Sequence, residues 1–267
     1  IFKKVELEMD KWRKVVELAK NLNLDIFSTF AHPGDLVIAE ELEFPVIKIS
    51  SSNLTNFPLL KAAAVTGKPI LLSTGMSYIN EIDEAIRYIE QNGNDRIGIL
   101  QCTALYPTPP KDVNLLAIET LRKVFSYTVG FSDHTKGICS AIASVALGAK
   151  IIEKHFTLDR SMKGSDHCFS STPEELMQMV RSIREVELSM GSSIKRPVSD
   201  EISLRDKLRR SIVAARNIEK GETLTEDKIT AKRSNVKGLE PRYIEIIVGR
   251  EVKKNISKDD PITMDLL

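Results

Sequence analysis

Six short apolar runs rich in β-branched residues recur along the chain: 24–30 (LDIFSTF), 44–50 (FPVIKIS), 69–74 (PILLST), 97–103 (IGILQCT), 126–133 (SYTVGFSD) and 151–156 (IIEKHF). Their starts lie roughly 20 to 30 residues apart, room for one helix in each gap, which is the rhythm of βα units. Helices are predicted at 10–22, 34–43, 57–66, 78–92, 112–124 and 136–147. In the fourth, Ile79, Ile82, Ile86 and Ile89 recur every three or four residues and Gly93 ends the run, as an amphipathic helix requires. Strands alternating with helices form either a doubly wound sheet or a (β/α)8 barrel. No GxGxxG follows the first run, so a dinucleotide-binding sheet is not supported. Polar residues gather instead at the C-terminal ends of nearly all six runs, where barrels assemble their active sites. The expected fold is α/β, a TIM (β/α)8-type barrel. Six strands fall short of eight, and the chain starts with Ile1 instead of Met. The first βα unit and the second strand are therefore expected to lie upstream.

The barrel domain is expected over residues 1–191. Near its end Thr172, Pro173 and Glu175 fit a helix N-cap, first helical position and capping box. Residues 192–208 read as a polar linker, and 209–267 as a small domain of short strands and turns. A net charge of +1, from 38 basic and 37 acidic residues, leaves no electrostatic footprint for nucleic acid. No apolar run approaches the roughly 20 residues needed to cross a bilayer, and no signal-peptide pattern is seen. The three cysteines, Cys102, Cys139 and Cys168, lack CxxC spacing and read as reduced thiols of a cytoplasmic protein.

Two of the four histidines, His134 and His155, close consecutive strand-like runs. Side chains two apart on a strand share a face, so Ser132 points with His134 and Glu153 with His155. Two imidazoles converging at one rim suit a divalent transition metal with open positions for water or substrate. A pair of hydrogen-bonded core histidines is the alternative. Lys48 precedes Ser50, Ser51 and Ser52, Thr29 closes the first run, and Ser73 and Thr74 close the third. A rim lysine among hydroxyls matches a phosphate or a phosphorylated carboxylate. An exposed lysine in a serine-rich turn would look the same. The rigid "LYPTPP" loop (105–110) fixes Tyr106 over the pocket, and "KGSDH" (163–167) places Asp166 where it grips sugar hydroxyls or merely lines a solvated turn. His167, next to Asp166, is placed to orient it, and His32 opens a helix-entry loop.

Taken together and in order, "KISSSNLTNFPLL", "LLSTGMS", "CTALYPTPPKDVN", "GFSDHT", "IIEKHFTLDR" and "GSDH" resemble the sialic acid synthase family, and "RRSIVAARNIEKGETLTEDKITAKRS" resembles its C-terminal antifreeze-like (SAF) domain. The resemblance implies condensation of phosphoenolpyruvate with an N-acetylmannosamine-type sugar, giving a sialic acid or a related legionaminate or pseudaminate and releasing phosphate. It implies a divalent metal at His134 and His155, usually manganese, with magnesium or cobalt as substitutes. Lys48, Ser51, Ser73, Ser132 and Thr29 match positions that hold phosphoenolpyruvate. Tyr106 and Asp166 match positions that hold the amino sugar, and Lys48, Tyr106 and Asp166 are the expected catalytic groups. Arg233 matches an SAF-domain arginine that enters the partner subunit's pocket in a domain-swapped homodimer. The sequence departs from the family pattern at Asn53, where an acidic residue that contacts the sugar is common, and at Gln101 and Ala104. An inactive barrel fragment or binding protein keeping the metal and phosphate pocket is the reading from another class.

Overall fold

The computed structural model describes residues 7–267, the side chain of Asp206 excepted; the expectation built on Ile1 falls outside them. The chain divides into two compact units, Ile1–Gly191 and Ser192–Leu267.

In the first unit the six apolar runs become the parallel strands β1 (Ser28–Phe30), β2 (Ile47–Ile49), β3 (Ile70–Ser73), β4 (Ile97–Cys102), β5 (Thr128–Asp133) and β6 (Ile152–Lys154), side by side in chain order. Each is shorter than its apolar run, because pairing covers only part of it: Leu24 and Phe27, ahead of β1, are exposed. The connecting helices are α1 (Met9–Asn21), α2 (Leu36–Glu41), α3 (Phe57–Val65), α4 (Ile79–Gln91), α5 (Ala117–Val124) and α6 (Cys139–Ala146), and α7 (Pro173–Met190) follows the sheet. In α4 the spacing of the isoleucines buries Ile82, Ile86 and Ile89, and the Glu81 carboxylate accepts a hydrogen bond from Tyr78 N–H at 2.7 Å to satisfy the first turn. At the start of α7 the Thr172 hydroxyl accepts from Glu175 N–H while Glu175 accepts from Thr172 N–H, the expected capping box.

Register assigns the two faces of the sheet. Register partners on neighbouring strands share a face, and side chains alternate along each strand. Ile47, Ile49, Ile70, Leu72, Ile97, Ile99, Val129 and Phe131 fall on the outer face and are buried in one core with the helices. Thr29, Lys48, Ser73, Cys102, Ser132 and Glu153 fall together on the inner face. The sheet is curled into a half-barrel about that face, because Lys48 on β2 reaches within 3.6 Å of Glu153 on β6. This is the TIM-type α/β architecture with its six visible strands.

The second unit has its own core, including Ile212, Leu224, Ile229, Ile247, Val252 and Ile262. It is built around an antiparallel pair, β7 (Ser211–Ala214) with β8 (Ile229–Lys232), and a short α9 (Ile244–Ile247). The stretch read as a linker holds a helix, α8 (Ser199–Leu208). Glu201 accepts from Val198 N–H at 3.0 Å, and acidic residues open the helix while Arg205 and Lys207 close it, both favourable to the helix dipole. Its described side chains are all exposed, so it lacks the apolar stripe by which a helix is recognised from sequence.

Candidate active site

Lys48 stands in the middle of β2, flanked on the outer face by buried Ile47 and Ile49, so its side chain is forced inward. Only 4% exposed, it donates to Ser73 Oγ at 2.6 Å and to the Ile49 carbonyl at 3.1 Å. Burial pushes its pKa below the ordinary value, with the Glu153 carboxylate and then Cys102 opposing that shift. Glu153 Oε1 accepts from Ser132 Oγ at 2.5 Å. A carboxylate thus bridges the cation and a hydroxyl across the concave face. Ser51 opens the turn after β2; its Oγ accepts from Gly75 N–H at 2.9 Å and donates to Cys102 Sγ at 3.6 Å. A Cβ at Gly75 would sit 2.8 Å from Ser51 Oγ, so any larger residue there would displace that hydroxyl. Ala104 lies against the same spot.

The two histidines follow directly on the last residues of β5 and β6. Their ring centroids are 5.3 Å apart, and Tyr106 lies 4.2 Å from His134 and 5.7 Å from His155. His134 Nδ1 faces the Thr103 carbonyl at 2.9 Å. A carbonyl can only accept, so the proton is on Nδ1 and Nε2 carries the lone pair, 3.5 Å from Ser132 Oγ. Burial pushes the His134 pKa down, but hydrogen bonding to Cys102 and Thr103 outweighs it and the net direction is up. Burial, helped by the neighbouring His134, pushes His155 down, with Asp166 opposing. Asp166 Oδ2 lies 3.8 Å from His155 Nδ1.

The structure therefore gathers Lys48, Ser51, Ser73, Ser132, Tyr106, His134, His155 and Asp166 at one end of the half-barrel. Thr29 shares the inner face beside Lys48 by register, but it is exposed and stands outside the hydrogen-bonded network. Asn53 is held in its own chain, donating to Ser50 Oγ at 3.0 Å and accepting from Asn56 at 2.9 Å. Arg233 is exposed just after β8, in the second unit. His167 is held by Thr157 Oγ1 at 2.7 Å rather than serving Asp166. Gln101 points to the outer face and donates to the Val113 carbonyl, so its departure from the family pattern does not touch the inner face. Glu153 is the residue that the candidate set lacked; its alternation with His155 was the available signal.

Among the described residues no group of three or more His, Cys, Asp or Glu side chains is arranged to hold a metal ion. The donors on hand are two imidazoles, one with its tautomer fixed by a carbonyl, and nearby carboxylates. That set fits a divalent transition metal that takes its remaining ligands from water and substrate.

The N,N'-diacetyllegionaminic acid synthase of Campylobacter jejuni is 39% identical over 97% of this chain and 78% of its own length. The human N-acetylneuraminate-9-phosphate synthase is 36% identical over 98% of this chain and 73% of its own. The crystal structure of the N-acetylneuraminic acid (sialic acid) synthetase of Leptospira borgpetersenii serovar Hardjo-bovis, in complex with citrate, matches with a TM-score of 0.72 at 32% identity, covering 77% of this chain and 73% of that one. Residues 1–195 match the NeuB family and residues 209–267 the SAF domain. The chain belongs to the NeuB family of nonulosonic acid synthases and ends in a SAF domain.

Proposed function

We propose that this protein condenses phosphoenolpyruvate with an N-acetylated hexosamine of the N-acetylmannosamine type, giving a sialic acid or related nonulosonate and phosphate. One observation carries the reading: a buried lysine and three serine hydroxyls share a concave face with two histidines whose rings are 5.3 Å apart. Lys48 and the Ser51, Ser73 and Ser132 hydroxyls would bind the phosphate and carboxylate of phosphoenolpyruvate, with Thr29 at the margin. Tyr106, Asp166 and Asn53 would orient the open-chain sugar, joined by Arg233 of the partner subunit in a domain-swapped dimer. A divalent cation at His134 and His155, manganese before magnesium or cobalt, would polarise the sugar aldehyde. C3 of phosphoenolpyruvate then bonds to the aldehyde carbon, water adds at C2, and C–O cleavage releases phosphate. No helix among the described residues is long and apolar enough to cross a membrane, and we place the reaction in the cytoplasm.

Asn53 keeps an acceptor oxygen but lacks the charge common at this position, which favours testing legionaminate- and pseudaminate-type acceptors beside N-acetylmannosamine. The protein is incubated with phosphoenolpyruvate and manganese, with N-acetylmannosamine with or without a 6-phosphate, and with diacetamido hexoses. Released phosphate is the readout. Release with one acceptor and its loss in His134→Ala and His155→Ala are the expected results. No release with any acceptor favours a binding protein that keeps only the pocket.

A further inference from the structure

Asp133 and Lys154 are register partners on β5 and β6, and each immediately precedes one of the two histidines. Alternation turns them to the outer face while His134 and His155 face inward. Their ion pair is 2.9 Å long, and the Asp133 and Lys154 side chains are 0% and 4% exposed. Charges buried this deeply give a fold little that two apolar side chains would not. Their contacts supply another role. The two strands end at this pair, so both histidines stand beyond the last rung of the ladder. Asp133 Oδ1 accepts from Thr135 N–H at 2.8 Å, and Lys154 Nζ donates to the Thr135 carbonyl at 2.5 Å. Both partners grasp the residue after His134, and Lys154 does so from the strand that carries His155.

Resting on the metal reading above, we propose that Asp133 and Lys154 are positioning residues for the two-histidine centre, fixing the separation and tilt of His134 and His155 and so setting the affinity for a divalent cation. Outer partners of metal-binding histidines are typically worth about 10- to 100-fold in affinity. The test titrates Mn2+ into the intact chain, follows the free ion by electron paramagnetic resonance, and records the melting curve of each variant. Asp133→Asn/Lys154→Met removes the ion pair and the Lys154 hydrogen bond to the Thr135 carbonyl and leaves no unpaired buried charge. It should melt cooperatively and bind Mn2+ about 10- to 100-fold more weakly. Lys154→Arg, which keeps the charge, should retain most of the affinity. Asp133→Asn/Lys154→Gln, which is also neutral at both positions but keeps a polar group at each, should show partial weakening and decides the matter where the first double variant does not fold. Either neutral double variant, folded and binding Mn2+ as tightly as the unaltered chain, overturns the inference. Absence of Mn2+ binding by the unaltered chain, or its persistence in His134→Ala, overturns the metal reading beneath it, so the two failures are told apart.

Discussion

Lys48 and Glu153 meet across the inside of the half-barrel at 3.6 Å, and under the proposed function their pairing would set the charge offered to an anion. Burial holds the Lys48 pKa below its ordinary 10.5, and Glu153 is the first group opposing that shift. Between the lowered folded value and 10.5 the unfolded chain binds the extra proton, so stability rises with pH across that window. On the proposed function, affinity for phosphoenolpyruvate should move the other way, falling as the ammonium deprotonates. Glu153→Gln removes the counter-charge and lowers the Lys48 pKa further. The alkaline limb of phosphoenolpyruvate affinity should then shift to lower pH, read by calorimetric titration over a pH series. An unmoved limb would count against Lys48 as the anion's cation. At this scale the sequence was informative within a strand: alternation joins Ser132 to His134 and Glu153 to His155. It carries no record of which side chains meet across the concave face, so the approach of Glu153 to Lys48, from β6 to β2, needed the curl of the sheet.

The elements themselves follow from periodicity, with ends set by pairing partners that periodicity does not contain. Helix α8 escaped because its described side chains are solvated and its stability rests on end effects. Strand β5 adds a steric requirement that is also invisible in an apolar pattern. A Cβ on Gly130 would lie 2.5 Å from the Ile151 carbonyl oxygen and 2.6 Å from Leu100 Cδ2. Backbone cannot yield as a flexible side chain does, so β5 and the segment entering β6 would have to separate. Gly130→Ala should destabilise the protein by about 1–3 kcal/mol, measured by urea denaturation. Because Gly130 lies on the same strand as Ser132, His134 beyond them should lose its placement together with stability.

For the molecule as a whole, the division into a barrel-type unit and a small C-terminal unit was legible because the texture of the chain changes from βα repeats to short strands and turns. The strands of the half-barrel are not held equally. β4 and β5 are joined at five register positions, from Gly98 with Thr128 to Cys102 with Ser132. β5 and β6 are joined at three, from Phe131 with Ile152 to Asp133 with Lys154. Amide deuterium uptake should therefore be slowest in the β4–β5 ladder and faster in β6, resolved by mass spectrometry of peptic peptides. The two imidazoles consequently stand on ground of unequal permanence. With uptake in that order, the His155 side should unfasten while the His134 side still holds, so a cation bound as proposed should be released one ring at a time.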